Sequence, residues 1–265
     1  MQEEPLLINR KNNVVTLILN RPAKKNSLSL ELVNILLKAL ESLAADDQVR
    51  ALIIRGSGDT AFCSGFDIRS LPTKLSDNVK DKLKTLNPVE ALFNAVINFP
   101  HPVIAMINGV AFGAGCELTI CCDIRIGVKE ARMGMPPAKL GIVYPWKGLQ
   151  RFIQTIGLKS TREMFFTGRT YHGERLKELG LLDYLVSADE AESYTFQMAE
   201  EIAANAPLAL KGTKRVIRLL LQSNLLDESS IAEAESITEA AFLSEDLKEG
   251  QLAFLEKRSP EFKGK

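Results

Sequence analysis

The segment from Met106 to Asp123 reads Met-Ile-Asn-Gly-Val-Ala-Phe-Gly-Ala-Gly-Cys-Glu-Leu-Thr-Ile-Cys-Cys-Asp. It sets three glycines and an alanine in a turn, then opens a helix whose first turn carries one carboxylate, Glu117. Small residues let a ligand approach the backbone, and the first N–H groups of a helix have no partner within it. Those donors, backed by the positive end of the helix dipole, suit an anionic oxygen. An oxygen that becomes negative only during reaction gains most from them. The same spacing also describes a plain strand-to-helix turn with close packing. A second small-residue loop, Ala61-Phe-Cys-Ser-Gly-Phe-Asp67, follows another apolar run. One N–H from each loop, at Phe66 and Ala114, can converge on a single oxygen as a two-donor oxyanion hole.

Strands must hold these loops. Val14–Leu19 is a β-branched run ended by Asn20-Arg21-Pro22, and Arg50–Arg55 is a second, closed by Gly56-Ser57-Gly58. Between them Leu30, Leu32, Leu36, Leu37, Leu40 and Leu43 fit one helical face, with Ser27 or Ser29 as cap. Strand, helix, strand favours a parallel sheet, and open α/β folds place ligands at the ends of such strands. Residues 72–85 read as a polar, Lys-rich loop or short helix. A helix from about Pro88 to Asn98 then leads into a strand over Pro102–Ile107. The plan recurs with a helix near Ala114–Cys121 and strands at Ile124–Val128 and near Leu182–Val186. From about Ala191 the chain turns helical. The expected division is a spiral core over 1–200 and a helical oligomerisation region over 201–265.

Hydrophobic residues make up 46% of the 265 and charged residues 25%, an ordinary globular composition. Basic and acidic residues balance at 33 each, so no net field draws nucleic acid or an acidic membrane. Cys63, Cys116, Cys121 and Cys122 lack a disulfide or zinc layout and read as reduced core thiols. Met1 leads straight into polar Gln2-Glu3-Glu4, and no apolar run approaches ~20 residues. The expectation is a soluble cytoplasmic protein without signal peptide, membrane span or bound metal.

The motifs Leu19-Asn20-Arg21-Pro22 with Asn26, Phe62–Asp67, Asn108–Leu118, Cys122-Asp123, Leu140-Gly141, Thr167-Gly168, Gly180-Leu181 and Phe254–Arg258 resemble the crotonase, or enoyl-CoA hydratase/isomerase, superfamily in order and spacing. The resemblance implies an α/β fold, a crotonase-type spiral of ββα units with a C-terminal helical trimerisation region. It also implies an acyl-CoA thioester substrate, with coenzyme A carried as part of that substrate and no separate cofactor. A homotrimer or dimer of trimers would be the assembly. The oxyanion donors would be the N–H groups of Phe66 and Ala114, beside Gly65. Lys24 and Lys25 match the backbone stretch that meets CoA, and Phe254 and Lys257 match tail positions that reach it across a subunit boundary.

The family's hydratases use two glutamates. Glu117 matches the first, but Gly134-Met135-Pro136-Pro137 puts proline where the second should stand. The double-bond isomerases use that same position. Pro-x-x-Leu-Gly-x-x-Tyr, ending at Tyr144, resembles the methylmalonyl-CoA decarboxylase branch, in which the tyrosine addresses the substrate carboxylate. Phe66 departs from the histidine common in that branch. Glu117 and Tyr144 are therefore the expected catalytic side chains of a lyase that decarboxylates a malonyl-type CoA through a thioester enolate. The alternatives are a hydratase or isomerase with an unusual second acid/base, and a non-catalytic acyl-CoA-binding or scaffold protein. Asp67 and Asp123 read as structural hydrogen-bond acceptors, His101 as a turn residue and His172 as a surface-loop residue.

Overall fold

Successive strands of this chain leave for two different sheets. In the computed structural model, which describes residues 4–66, 79–222 and 228–262, the order begins β1 (Leu6–Lys11), β2 (Val14–Leu19), α1 (Leu30–Ala44), β3 (Ala51–Gly56), β4 (Ala61–Cys63) and α2 (Val79–Asn98). It continues with β5 (Val103–Ile107), β6 (Val110–Phe112), α3 (Ala114–Ile120), β7 (Ile124–Val128), β8 (Arg132–Gly134) and α4 (Trp146–Thr167). Then come β9 (Thr170–His172), α5 (Glu174–Glu178), β10 (Tyr184–Val186), α6 (Ala191–Ala204), α7 (Pro207–Gln222), α8 (Glu228–Leu243) and α9 (Glu245–Glu256). One sheet has the order β1-β2-β3-β5-β7-β10 and the other β4-β6-β8-β9. β1 and β2 pair within the six-stranded sheet, whereas the units β3-β4-α2, β5-β6-α3 and β7-β8-α4 each give one strand to each sheet and advance by one position, which makes the spiral.

Sequence explains most of these elements. Val103–Ile107 is wholly buried and pairs in parallel with β3 and β7, as a continuous apolar run should. Ser29 caps α1, accepting from the Leu32 N–H at 3.2 Å. On α1 the buried face is Leu32, Val33, Leu36 and Leu40, whereas Leu30 is exposed. That corrects the expected leucine face: in the first turn Leu30 points away and β-branched Val33 fills the core. α2 begins at Val79 and carries Pro88 inside it rather than at its start. Proline's preference for a helix's first turn misplaced that boundary. The remainder of the segment over 72–85, and Asp67, lie outside the described residues.

Two buried amides, Asn26 and Asn108, tie the turn between β3 and β4. Asn26 Nδ2 donates to the carbonyls of Ala61 at 2.7 Å and Ser57 at 3.0 Å. Asn108 Nδ2 donates to Gly58 O at 2.6 Å, while its Oδ1 accepts from Gly56 N at 3.1 Å. Residue 200 falls within α6, whose Ala199 and Ala203 pack with Val14, Ile53 and Ile104 on the six-stranded sheet. Among the described residues no helix is long and apolar enough to cross a membrane.

Candidate active site

The parallel pairing of β4 with β6 brings the turns at their ends side by side. Ser64 N donates to Lys25 O at 3.0 Å and Leu28 N to Gly65 O at 2.9 Å, which fastens the first turn. Gly113 N donates to Gly134 O at 3.2 Å and fastens the second. Glycine is required where the turns meet. Gly65 has φ +104°, and a Cβ there would lie 2.8 Å from Phe112 O and 3.6 Å from Ala114 N. A Cβ on Gly115 would lie 2.2 Å from Cys63 O. Among the described residues, no backbone hydrogen bond engages the N–H of Phe66 or that of Ala114, the first residue of α3.

Phe66 and Ala114 both border a cavity of about 550 Å³. Phe66, Phe93, Phe112, Pro137, Leu140 and Ile142 give it apolar walls, and α8 adds Glu235, Glu239 and Phe242. A second groove of about 630 Å³, between the six-stranded sheet and α6, contains neither these amides nor Glu117.

Glu117 lies at the cavity wall and is only 2% exposed. Tyr144 Oη donates to Glu117 Oε2, and Arg151 Nη1 donates to Oε1 at 2.6 Å. Arg151 is held in turn by Glu90, through Nη1 to Oε2 at 3.0 Å and through Nη2 to Oε1. Burial pushes the Glu117 carboxyl above the usual range, with Arg151 and Tyr144 pulling against that rise. Both carboxylate oxygens accept hydrogen bonds, so the network is built around the ionised form. Burial and the adjacent Glu117 raise the Tyr144 phenol, which stays protonated and acts as a donor. Gly148 makes room: a Cβ there would lie 2.4 Å from Tyr144 Cε1 and 3.0 Å from Glu117 Oε1.

Gly65, Phe66, Ala114, Glu117 and Tyr144 therefore meet at one cavity. Lys24 and Lys25 do not line it. Their side chains are exposed, and their carbonyls accept from Ser64, Oγ to Lys24 at 3.4 Å and N to Lys25 at 3.0 Å. Phe254, on α9, is exposed, and Lys257 ends that helix in a left-handed conformation; neither borders the cavity of this chain. Pro137 is buried at the position expected for a second glutamate. Asp123 accepts from Val103 N at 2.7 Å and pairs with Lys214 at 2.6 Å, a structural part as expected. The four cysteines are buried. His101 is buried at its turn, and His172 lies exposed on strand β9 rather than in a loop. Short apolar-polar alternation at an edge strand looked like loop sequence. Among the described residues no group of His, Cys, Asp and Glu side chains could hold a metal ion.

Arg151 and Glu90 were not anticipated. Their pairing spans 61 positions and has no local pattern; the available hint was Glu90, Phe93 and Asn94 recurring on one face of α2.

Residues 9–265 match the enoyl-CoA hydratase/isomerase family. The chain is 33% identical over 261 residues to the 2,3-dehydroadipyl-CoA hydratase of Escherichia coli (strain K12), covering 98% of this chain and 99% of that protein. A solved methylmalonyl-CoA decarboxylase in complex with 2-nitronate-propionyl-CoA superposes with a TM-score of 0.92 at 30% identity, over 99% of both chains. An enoyl-CoA hydratase from Bacillus anthracis superposes with a TM-score of 0.78 at 31% identity, over 99% of this chain and 100% of that one.

Proposed function

This chain belongs to the enoyl-CoA hydratase/isomerase family, and from that premise we propose that it is an acyl-CoA lyase decarboxylating a malonyl-type thioester such as methylmalonyl-CoA. The observation that carries this reading is the pairing of Pro137 with an already occupied Glu117. Hydration needs two carboxylates to hold and activate a water. Here one is replaced by a side chain without an ionisable group, and the other holds donors on both oxygens. The closer superposition on a decarboxylase than on a hydratase, at nearly equal identity, supports the same choice.

In the proposed reaction the thioester carbonyl oxygen accepts from the N–H groups of Phe66 and Ala114. The bond from Cα to the carboxylate breaks, its electron pair passes into the enolate, and neutral CO2 leaves. The two amides stabilise the charge arriving on the thioester oxygen. One proton then returns to Cα from water and restores the thioester. Tyr144 works with Glu117, since its hydrogen already lies on that carboxylate. Coenzyme A travels as part of the substrate, and no other cofactor enters. Lys24, Lys25, Phe254 and Lys257 are proposed for CoA. The tail pair would act on a neighbouring subunit, in a homotrimer or dimer of trimers. Exposed Leu208, Val216 and Ile217 on α7 support such an assembly. The proposed compartment is the cytoplasm, in keeping with four unpaired thiols.

A second reading rests on Glu235 and Glu239 of α8, which border the cavity and offer carboxylates from another direction. With Glu117 they would make a hydratase of unusual layout. Incubation with methylmalonyl-, ethylmalonyl- and crotonyl-CoA separates the readings. Release of CO2 without hydration supports decarboxylation, and 3-hydroxyacyl-CoA from crotonyl-CoA supports the alternative. CoA affinity with no turnover on any of the three identifies a binding or scaffold protein.

A further inference from the structure

One face of α2 grips a cation that lies behind the cavity wall. Glu90, Phe93 and Asn94 stand at i, i+3 and i+4. Arg151 donates to both Glu90 oxygens and to Asn94 Oδ1 at 3.4 Å, while its guanidinium lies 5.5 Å from the Phe93 ring centre. Asn94 Nδ2 donates to Glu90 Oε1 at 3.1 Å and steadies the grip. Glu90 and Glu117 border the cavity, whereas Arg151 does not, and its side chain is 11% exposed. Two carboxylates thus share one guanidinium, so this group of three carries a net negative charge, and Lys147 also borders the cavity.

That imbalance matters for a substrate that must lose a carboxylate. Its charge leaves the carboxylate as the transition state forms and appears on the thioester oxygen. A free cation beside the carboxylate would stabilise the bound substrate more than the transition state and slow the reaction. We propose that Glu90 is a specificity-determining residue: by holding Arg151 together with Glu117 it denies the substrate carboxylate that guanidinium, so carboxylate-bearing thioesters bind weakly and react quickly. This rests on the decarboxylation reading above.

The test is calorimetric affinity of wild type and Glu90→Gln for 2-carboxypropyl-CoA and for propionyl-CoA, together with steady-state kinetics on methylmalonyl-CoA. Glu90→Gln should tighten 2-carboxypropyl-CoA about fivefold, the order expected for one unit charge in a half-solvated site. Propionyl-CoA should change by less than about twofold, because it has no carboxylate to sense that charge. KM and kcat should fall together, and Glu90→Asp, which keeps the charge, should restore the wild-type pattern. A Glu90 that merely supports the fold would weaken both ligands alike, and that outcome, or unchanged affinity for 2-carboxypropyl-CoA, overturns the proposal. Failure of the wild-type protein to release CO2 overturns the reading beneath it. The affinity ratio needs no turnover and decides Glu90 separately.

Discussion

Tyr144 gives its phenolic hydrogen to Oε2 of Glu117, across 27 positions of sequence, while Arg151 occupies Oε1 of the same carboxylate at 2.6 Å. A carboxylate alone in this wall would carry the full cost of desolvation. Held from both sides, it stays ionised and oriented at the cavity wall. The phenol is consequently committed to Glu117 in this arrangement. An expectation that it reaches directly for a substrate carboxylate gives way to one in which the two residues act as a pair.

Tyr144→Phe removes one of those donors. A hydrogen bond to a charged group contributes about 1.5–3 kcal/mol, so decarboxylation should fall by roughly ten- to a hundredfold. CoA affinity should hold. Turnover kinetics alongside CoA titration check this, and an unchanged rate removes Tyr144 from the mechanism.

Ala114→Pro deletes an oxyanion donor while respecting the fold, because proline suits the first position of a helix and this N–H has no backbone partner among the described residues. Loss of such a donor costs about 3–4 kcal/mol of barrier, or on the order of a hundred- to a thousandfold in kcat. Circular dichroism should match wild type. A fully active Ala114→Pro enzyme would mean that the thioester oxygen sits elsewhere.

Glu117→Gln should lower decarboxylation less than Ala114→Pro does, since breaking the C–C bond requires no base. Any residual hydration of crotonyl-CoA should vanish in the same variant. Equal abolition of both activities would assign Glu117 a positional part.

Gly148→Ala tests the geometry without replacing an ionisable group. The added Cβ would meet the Tyr144 ring at 2.4 Å and displace it from Glu117. A shift of about 1 Å at a positioned group can cost ~10²-fold, and kcat should drop on that order. Wild-type turnover would show that Tyr144 placement is unimportant.

Stability should fall as pH drops from about 6.5 towards 4. His101 is buried with both ring nitrogens unpaired among the described residues, and burial, aided by Lys211, Lys214 and Arg50 against Asp47, lowers it from 6.5 to about 4. The unfolded chain therefore binds a proton in that window when the folded chain does not, and protonation favours unfolding. Denaturant midpoints at pH 7 and pH 5 should converge in His101→Asn relative to wild type. Equal pH sensitivity in both proteins would place the effect on other groups.

Family, fold and the two amide-bearing turns were legible from residues alone, because each depends on short stretches of chain. Ile124–Val128 reads as a strand from its apolar run, and Gly113-Ala114 reads as a helix start from its small residues. Pro137 declared the missing carboxylate without any coordinates. Three dimensions decided what surrounds Glu117. Arg151 comes from α4 and Glu90 from α2, and nothing near either residue announces their meeting, since packing of helices distant in sequence brings the charges together. The same distinction applies to Phe254 and Lys257, whose motif was readable while their place, exposed and away from this chain's own cavity, was not. Backbone preference is local and leaves its mark in neighbouring residues, but the field felt by a buried carboxylate is the sum of whatever the fold packs around it.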